Sequence, residues 1–227
     1  MTRKLMMNNV ENNELTPVTD GLYCWFDARD LKINDTVWKD RMNTVNNMRI
    51  NANTINSQNF TGTSLLTSNT HFFQSITLNT AKCSITLVSK PTSDNYSPFN
   101  SRICGLNGSN GAGYYFWYSH MKDTLCIYKD YETICEIALS ENNILPKNIL
   151  YITVTFGQYV NAYLNGTRIY KQLANTNTVK FGTLLLGTTS TNSYVQQELY
   201  SSKLYNKELT EQEVYADYNY EKSIERS

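Results

Sequence analysis

LYITVTFGQYVNAYLNGTRIYK, residues 150–171, is the longest stretch of this chain in which hydrophobic period and turn chemistry agree. Ile152, Val154 and Phe156 alternate with Thr153 and Thr155, the period-two pattern of a strand buried on one face. Gly157-Gln158 offers a reversal, after which Val160, Ala162 and Leu164 alternate with Asn161 and Tyr163. The run ends at Asn165-Gly166, two residues that accept positive φ cheaply and so favour a two-residue hairpin turn matched to strand twist. Arg168-Ile169-Tyr170 supplies the return strand. The stretch therefore predicts an antiparallel meander in an all-β protein.

The same reading extends in both directions. Gly21–Phe26 is a dense aromatic strand, followed by a turn near Asn34-Asp35 and a second short strand at Thr36–Asp40, with Trp25 and Trp38 expected in the core. Residues 43–70 are rich in Asn, Thr and Ser with apolar islands such as Leu65-Leu66. Strand character returns at His71–Phe73, Ser75–Leu78 and Cys83–Val88, the last expected to stop at Lys90-Pro91. Arg102–Gly105, Tyr114–Tyr118, Thr124–Tyr128, Thr133–Ala138, Val179–Gly187 and Glu198–Tyr205 complete the set. Residues 105–113 carry four glycines, but with no GxxxxGK[ST] pattern and with strands on both sides the stretch reads as a hairpin loop rather than a phosphate cradle. The convincing helix comes last. Thr210 and Glu213 form a capping box, and Val214 and Tyr218 share one face behind it.

A chain of 227 residues suffices for one large β-sandwich, which would bury roughly 70–75% of its unfolded surface. Residues 1–19 lack a sustained period and read as an arm or tail, and residues 20–227 as one domain. Twenty basic and twenty acidic side chains cancel, so no net field draws the protein to nucleic acid or to an anionic membrane. No run approaches the ~20 apolar residues of a membrane-spanning helix, and the first residues lack the apolar segment of a secretory leader. The five cysteines form no CxxC pair and fall in or beside apolar strands, as buried free thiols do in a protein folded in a reducing cytosol. Asp27, Asp30 and Asp40 are residue types that ligate Ca²⁺, but turn capping accounts for them, and no cofactor or metal is expected.

Three segments, in this order, resemble the concanavalin A-like lectin/glucanase family in its laminin-G-like form: GLYCWFDA at residues 21–28 with VWKD at 37–40; YITVTF at 151–156 leading to AYLNG at 162–166; and LLLG at 184–187 followed by KLYNKELTEQEV at 203–214. The last is similar to the ending of phage and bacterial members, where a closing strand runs through LT-x-x-E into a short helix. The resemblance implies a two-sheet antiparallel β-sandwich of jelly-roll type with a short C-terminal helix.

It also implies a non-catalytic, lectin-like role: a phage virion protein made in the bacterial cytoplasm, repeated in many copies beside other virion proteins and binding host cell-surface or cell-wall glycans. Tyr115 and Trp117 on the aromatic strand, Asn107 and Asn110 in the loop before it, and Asn192 and Tyr194 after Gly187 are the candidate sugar contacts. A purely structural capsid, fibre or tail component is the second reading. A glycoside hydrolase is the third, and it lacks the E-x-D-x-E triplet that places a nucleophile and an acid on one strand face.

Overall fold

The computed structural model describes residues 15–44, 47–50, 55, 60–67, 71–79, 82–91, 101–108, 113–119, 124–129, 132–138, 148–173, 180–187 and 197–226. Two antiparallel sheets carry the chain. In the seven-stranded sheet, β1 (Leu22–Asp27), β15 (Gln197–Tyr205), β6 (Cys83–Pro91), β11 (Leu150–Phe156), β12 (Tyr159–Leu164) and β13 (Thr167–Leu173) follow in that order, and β4 (Leu65–Thr67) also pairs with β15. The eight-stranded sheet runs β10 (Glu132–Ala138), β9 (Thr124–Lys129), β8 (Gly113–Ser119), β7 (Ser101–Gly108), β14 (Lys180–Gly187), β5 (His71–Asn79), β3 (Met48–Ile50) and β2 (Val37–Trp38).

The inner faces meet in one apolar core. Phe26, Ile85, Leu87, Ile152, Val154 and Leu204 from the first sheet share it with Trp38, Met48, Leu125, Ile127, Leu184 and Leu186 from the second. This is the β-sandwich expected from the sequence. The 150–171 meander forms as read: Ile152 lies opposite Leu164 and Phe156 opposite Val160, and the turn holds Asn165 and Gly166 at φ 51° and 77°. Such a pair of left-handed residues is what a hairpin matched to strand twist requires. First and last strands are neighbours, with Trp25 opposite Lys203, so the two ends of the fold lie side by side.

Two boundaries differ from the sequence reading. The islands at 71–73 and 75–78 join into one strand, β5, with Gln74 and Ser75 kept in the ladder opposite Leu184 and Thr183 of β14. β6 continues through Pro91, which lies opposite Gln197. As the last residue of the strand, Pro91 can occupy its position without the N–H that a continuing ladder would need.

Helix α1 (Glu211–Ser223) starts at the expected capping box: the Glu213 amide donates to Thr210 Oγ1 at 3.2 Å, and the Thr210 amide donates to Glu213 Oε2 at 2.8 Å. It lies on the outer face of the seven-stranded sheet. Its buried residues are Val214, Asp217 and Glu221, at helical spacing but two of them acidic. Tyr218, read from the sequence as sharing the packed face with Val214, is half-buried and meets Tyr151 edge-on, ring centroids 5.2 Å apart.

The two carboxylates meet a buried cation. Lys203 is fully enclosed, and its Nζ lies 2.6 Å from both Asp217 Oδ1 and Glu221 Oε1. The Trp25 and Tyr220 rings flank the ammonium at 4.8 and 5.0 Å. Tyr205 donates its hydroxyl to Asp217 at 3.1 Å, and Arg226 pairs with Glu221. Burial pushes the Asp217 carboxyl above its ordinary range, an effect that the charge of Lys203 only partly offsets. The helix is therefore held to the sheet by a satisfied ionic cluster as well as by the apolar patch of Leu22, Trp25, Tyr163, Leu209 and Val214.

Candidate functional site

Because Val160, Ala162 and Leu164 of β12 point into the core, strand alternation sends Tyr159, Asn161 and Tyr163 to the outer face of the seven-stranded sheet. Beside them β13 is exposed along much of its length and carries Arg168 and Lys171. The segment from β15 to α1 folds back over the same face. Ser84 fixes it there, its hydroxyl donating to the Lys207 carbonyl at 2.8 Å and accepting from the Leu209 amide at 2.9 Å. Between these three pieces lies a cleft of about 440 Å³, with Tyr159, Asn161, Tyr163, Arg168, Lys171 and Glu208 among its lining residues.

Each polar group has a definite arrangement. Asn161 is 6% exposed and donates from Nδ2 to Thr155 Oγ1 at 3.0 Å and to Glu208 Oε1 at 3.4 Å. The Glu208 carboxylate rests on Gly157, where a Cβ would fall 1.9 Å from Oε2. Arg168 pairs with Glu211 at 3.2 Å. Lys207, also at the cleft, pairs with Glu213 at 2.6 Å and with Asp20. The Lys171 ammonium sits 4.2 Å from the centroid of the half-exposed Tyr159 ring. Burial raises the Tyr163 phenol above its ordinary value, against the opposing effect of Arg168, so Tyr163 stays a neutral hydroxyl. The cleft thus offers an aromatic ring, an ammonium, a guanidinium and a carboxylate acceptor, the groups that recognise a polyhydroxylated ligand.

Of the residues singled out from the sequence, the three that are described, Asn107, Tyr115 and Trp117, lie in the other sheet. Tyr115 and Trp117 are on β8 of the other sheet, at register positions opposite Tyr128 and Cys126. These positions alternate with those opposite Ile127 and Leu125, which belong to the core. Asn107 is on β7, opposite Gly113 at the start of β8. Asn110, Asn192 and Tyr194 lie outside the described residues. The outer-face alternation of Asn161 and Tyr163 was visible in the sequence; their meeting with Glu208 was not, because it depends on a return of the chain from 47 positions away.

The acidic residues near the first strands serve as local anchors. Asp27 is buried and binds Arg29 at 2.6 Å and Arg41 at 3.0 Å. Asp40 accepts from the amides of Trp25, Met42 and Thr44 at 2.9, 3.0 and 2.9 Å. Asp30 accepts from Arg41.

No protein-family model and no curated protein sequence matches the chain. Solved structures do. Trypanosoma rangeli sialidase in complex with sialic acid superposes with a TM-score of 0.67 at 12% identity, over 89% of this chain and 33% of the sialidase. The ligand binding domain of botulinum neurotoxin serotype D, in complex with N-acetylneuraminic acid, gives 0.69 at 15% identity, over 88% of this chain and 51% of that one. The receptor binding domain of the C/D mosaic serotype gives 0.68 at 12% identity over the same shares. The shared fold is a two-sheet antiparallel β-sandwich. At these identities the likeness concerns the fold alone, and the chain spans about a third of the sialidase and half of the neurotoxin domains.

Proposed function

We propose that this chain is a non-catalytic carbohydrate-binding module, displayed in many copies on a phage particle assembled in a bacterial cytosol and used to attach to host cell-surface glycans. The observation that carries the reading is the open cleft on the outer sheet face, where the Tyr159 ring stands beside Asn161, Arg168, Lys171 and Glu208. Sugars are bound by such sets, an aromatic ring for the apolar C–H face and amide or charged groups for the hydroxyls. That two similar folds were solved with sialic acid or N-acetylneuraminic acid supports a saccharide as the ligand class.

Magnitude argues for multiple copies. Burying ~100 Å² of apolar sugar surface contributes about 2–3 kcal/mol, and millimolar affinity corresponds to about −4 kcal/mol. One cleft of this size holds a sugar weakly, and repetition on a particle raises the avidity. The buried free thiols of Cys24, Cys83, Cys126 and Cys135 suit a cytosolic assembly route. Within the cleft Glu211 is ion-paired to Arg168, and the sequence lacks the acidic triplet of the glucanases, both of which favour binding over hydrolysis.

The test is binding of the protein, clustered on beads, to cell-wall glycans from a panel of bacteria, with released reducing ends measured in parallel. Saturable binding without new reducing ends is the expected result. Release of reducing ends would replace the binding module with a hydrolase, and absence of binding by clustered protein would leave the structural role.

A further inference from the structure

Resting on the saccharide reading above, we propose that the cleft takes an anionic saccharide, its negative group at Lys171 and its hydroxyls at Glu208. The disposition of charge decides this. Of the residues around the cleft, Arg168 is matched by Glu211 at 3.2 Å, and Lys207 is matched by Glu213 at 2.6 Å and by Asp20. Lys171 is exposed and has no carboxylate partner among the described residues. Its ammonium rests 4.2 Å from the Tyr159 ring centroid. A ring face attracts the cation but takes up little of its hydrogen-bonding capacity, since an ammonium carries three donors. Lys82, also exposed, adds positive charge to the same rim.

An arriving carboxylate or sulfate therefore gains a charge-assisted hydrogen bond at Lys171 and breaks no existing ion pair. Glu208 limits what the rest of the ligand can be. Its carboxylate is held inside the cleft by Asn161 and by its seat on Gly157, so it repels a second anion and accepts from hydroxyl donors. A ligand with one negative group on a hydroxyl-bearing ring satisfies both ends. A neutral sugar satisfies only Glu208, and a polyanion such as nucleic acid satisfies only Lys171.

The experiment measures binding of the full chain to three oligosaccharides: a neutral oligosaccharide ending in a single uronic acid, the same oligosaccharide with that carboxyl reduced to an alcohol, and the neutral oligosaccharide bearing a single sulfate. Each is run at about 50 mM and about 500 mM salt. The expected result is that a charged form binds roughly fivefold more tightly than the reduced form, that high salt narrows the gap, and that Lys171→Met, a change at an exposed position, closes it. Preference for the carboxylated or the sulfated arm identifies which anion the site takes. Equal binding of charged and reduced forms, or a gap unchanged in Lys171→Met, overturns this proposal and leaves the saccharide reading standing. Failure of every oligosaccharide, neutral ones included, removes both.

Discussion

Lys203 Nζ lies 2.6 Å from Asp217 Oδ1, and the two side chains are 0% and 3% exposed. A lysine buried at the centre of a sheet face, under a helix that brings two carboxylates to it, makes the docking of α1 depend on charge neutrality. Removing one partner of such a group costs far more than replacing the whole group with apolar side chains. Lys203→Met should therefore lower unfolding stability by about 3–5 kcal/mol. Lys203→Met combined with Asp217→Leu should lose less than the single variant. Chemical denaturation of the two proteins checks this, and a single variant within about 1 kcal/mol of wild type would refute it.

Asp27 predicts the sign of one acid effect. Burial alone would raise its carboxyl, but hydrogen bonds from Arg29 and the charge of Arg41 outweigh burial and hold it below the ordinary value of 3.8. A carboxyl depressed in the folded state contributes stability above its unfolded pKa and loses it as pH falls through the folded value. The stability difference between wild type and Asp27→Asn should be constant above about pH 5 and shrink below about pH 4. Urea midpoints across that range measure it. A difference that stays flat or widens on acidification would contradict the assignment.

Burial pushes the thiols of Cys24 and Cys83 far above their ordinary range and that of Cys135 up to about 12. Thiolate is the reactive form, and Cys126 is buried as well. With the Cys104 side chain outside the described residues, at most one thiol should react with a chromogenic disulfide in the native protein, and all five after unfolding. Two or more fast-reacting native thiols would contradict the burial described for these strands.

How far the sequence reaches is clear from particular residues. The period-two runs of 150–171 and the Thr210/Glu213 capping box are local, and both form as read, down to the positive φ of Asn165 and Gly166. Lys203 was not legible. In the strand Gln197–Tyr205 it occupies an outward position, the ordinary place for a solvated lysine, and only the helix returning over that face encloses it. For the same reason nothing local marks the acidic Asp217 and Glu221 as part of the buried stripe of the helix. The cleft was half legible: alternation assigns Asn161 and Tyr163 to one face, but nothing local brings Glu208 to them. Aromatic density had instead directed attention to Tyr115 and Trp117, which belong to the opposite sheet.

Gly157 gives a way to alter the cleft without disturbing the core. Its φ is not left-handed, so alanine suits the backbone, but the added Cβ would meet Glu208 Oε2 at 1.9 Å and Cδ at 2.4 Å. The carboxylate is the flexible end of a side chain and must swing away from Asn161. Gly157→Ala should change unfolding stability by less than about 1 kcal/mol and weaken saccharide binding about fivefold, the size of one hydrogen bond. Unchanged affinity would show that Glu208 takes no part.

The central claim is that the saccharide site lies in the cleft between β12, β13 and the 207–211 segment. The most direct measurement is titration of one saccharide that binds wild type into Tyr159→Ala and Trp117→Ala, each confirmed folded by circular dichroism. Loss of roughly fivefold or more in affinity for Tyr159→Ala, with Trp117→Ala unaffected, is the predicted result. Loss in Trp117→Ala with Tyr159→Ala unaffected would contradict it and move the site to the aromatic strand of the opposite sheet.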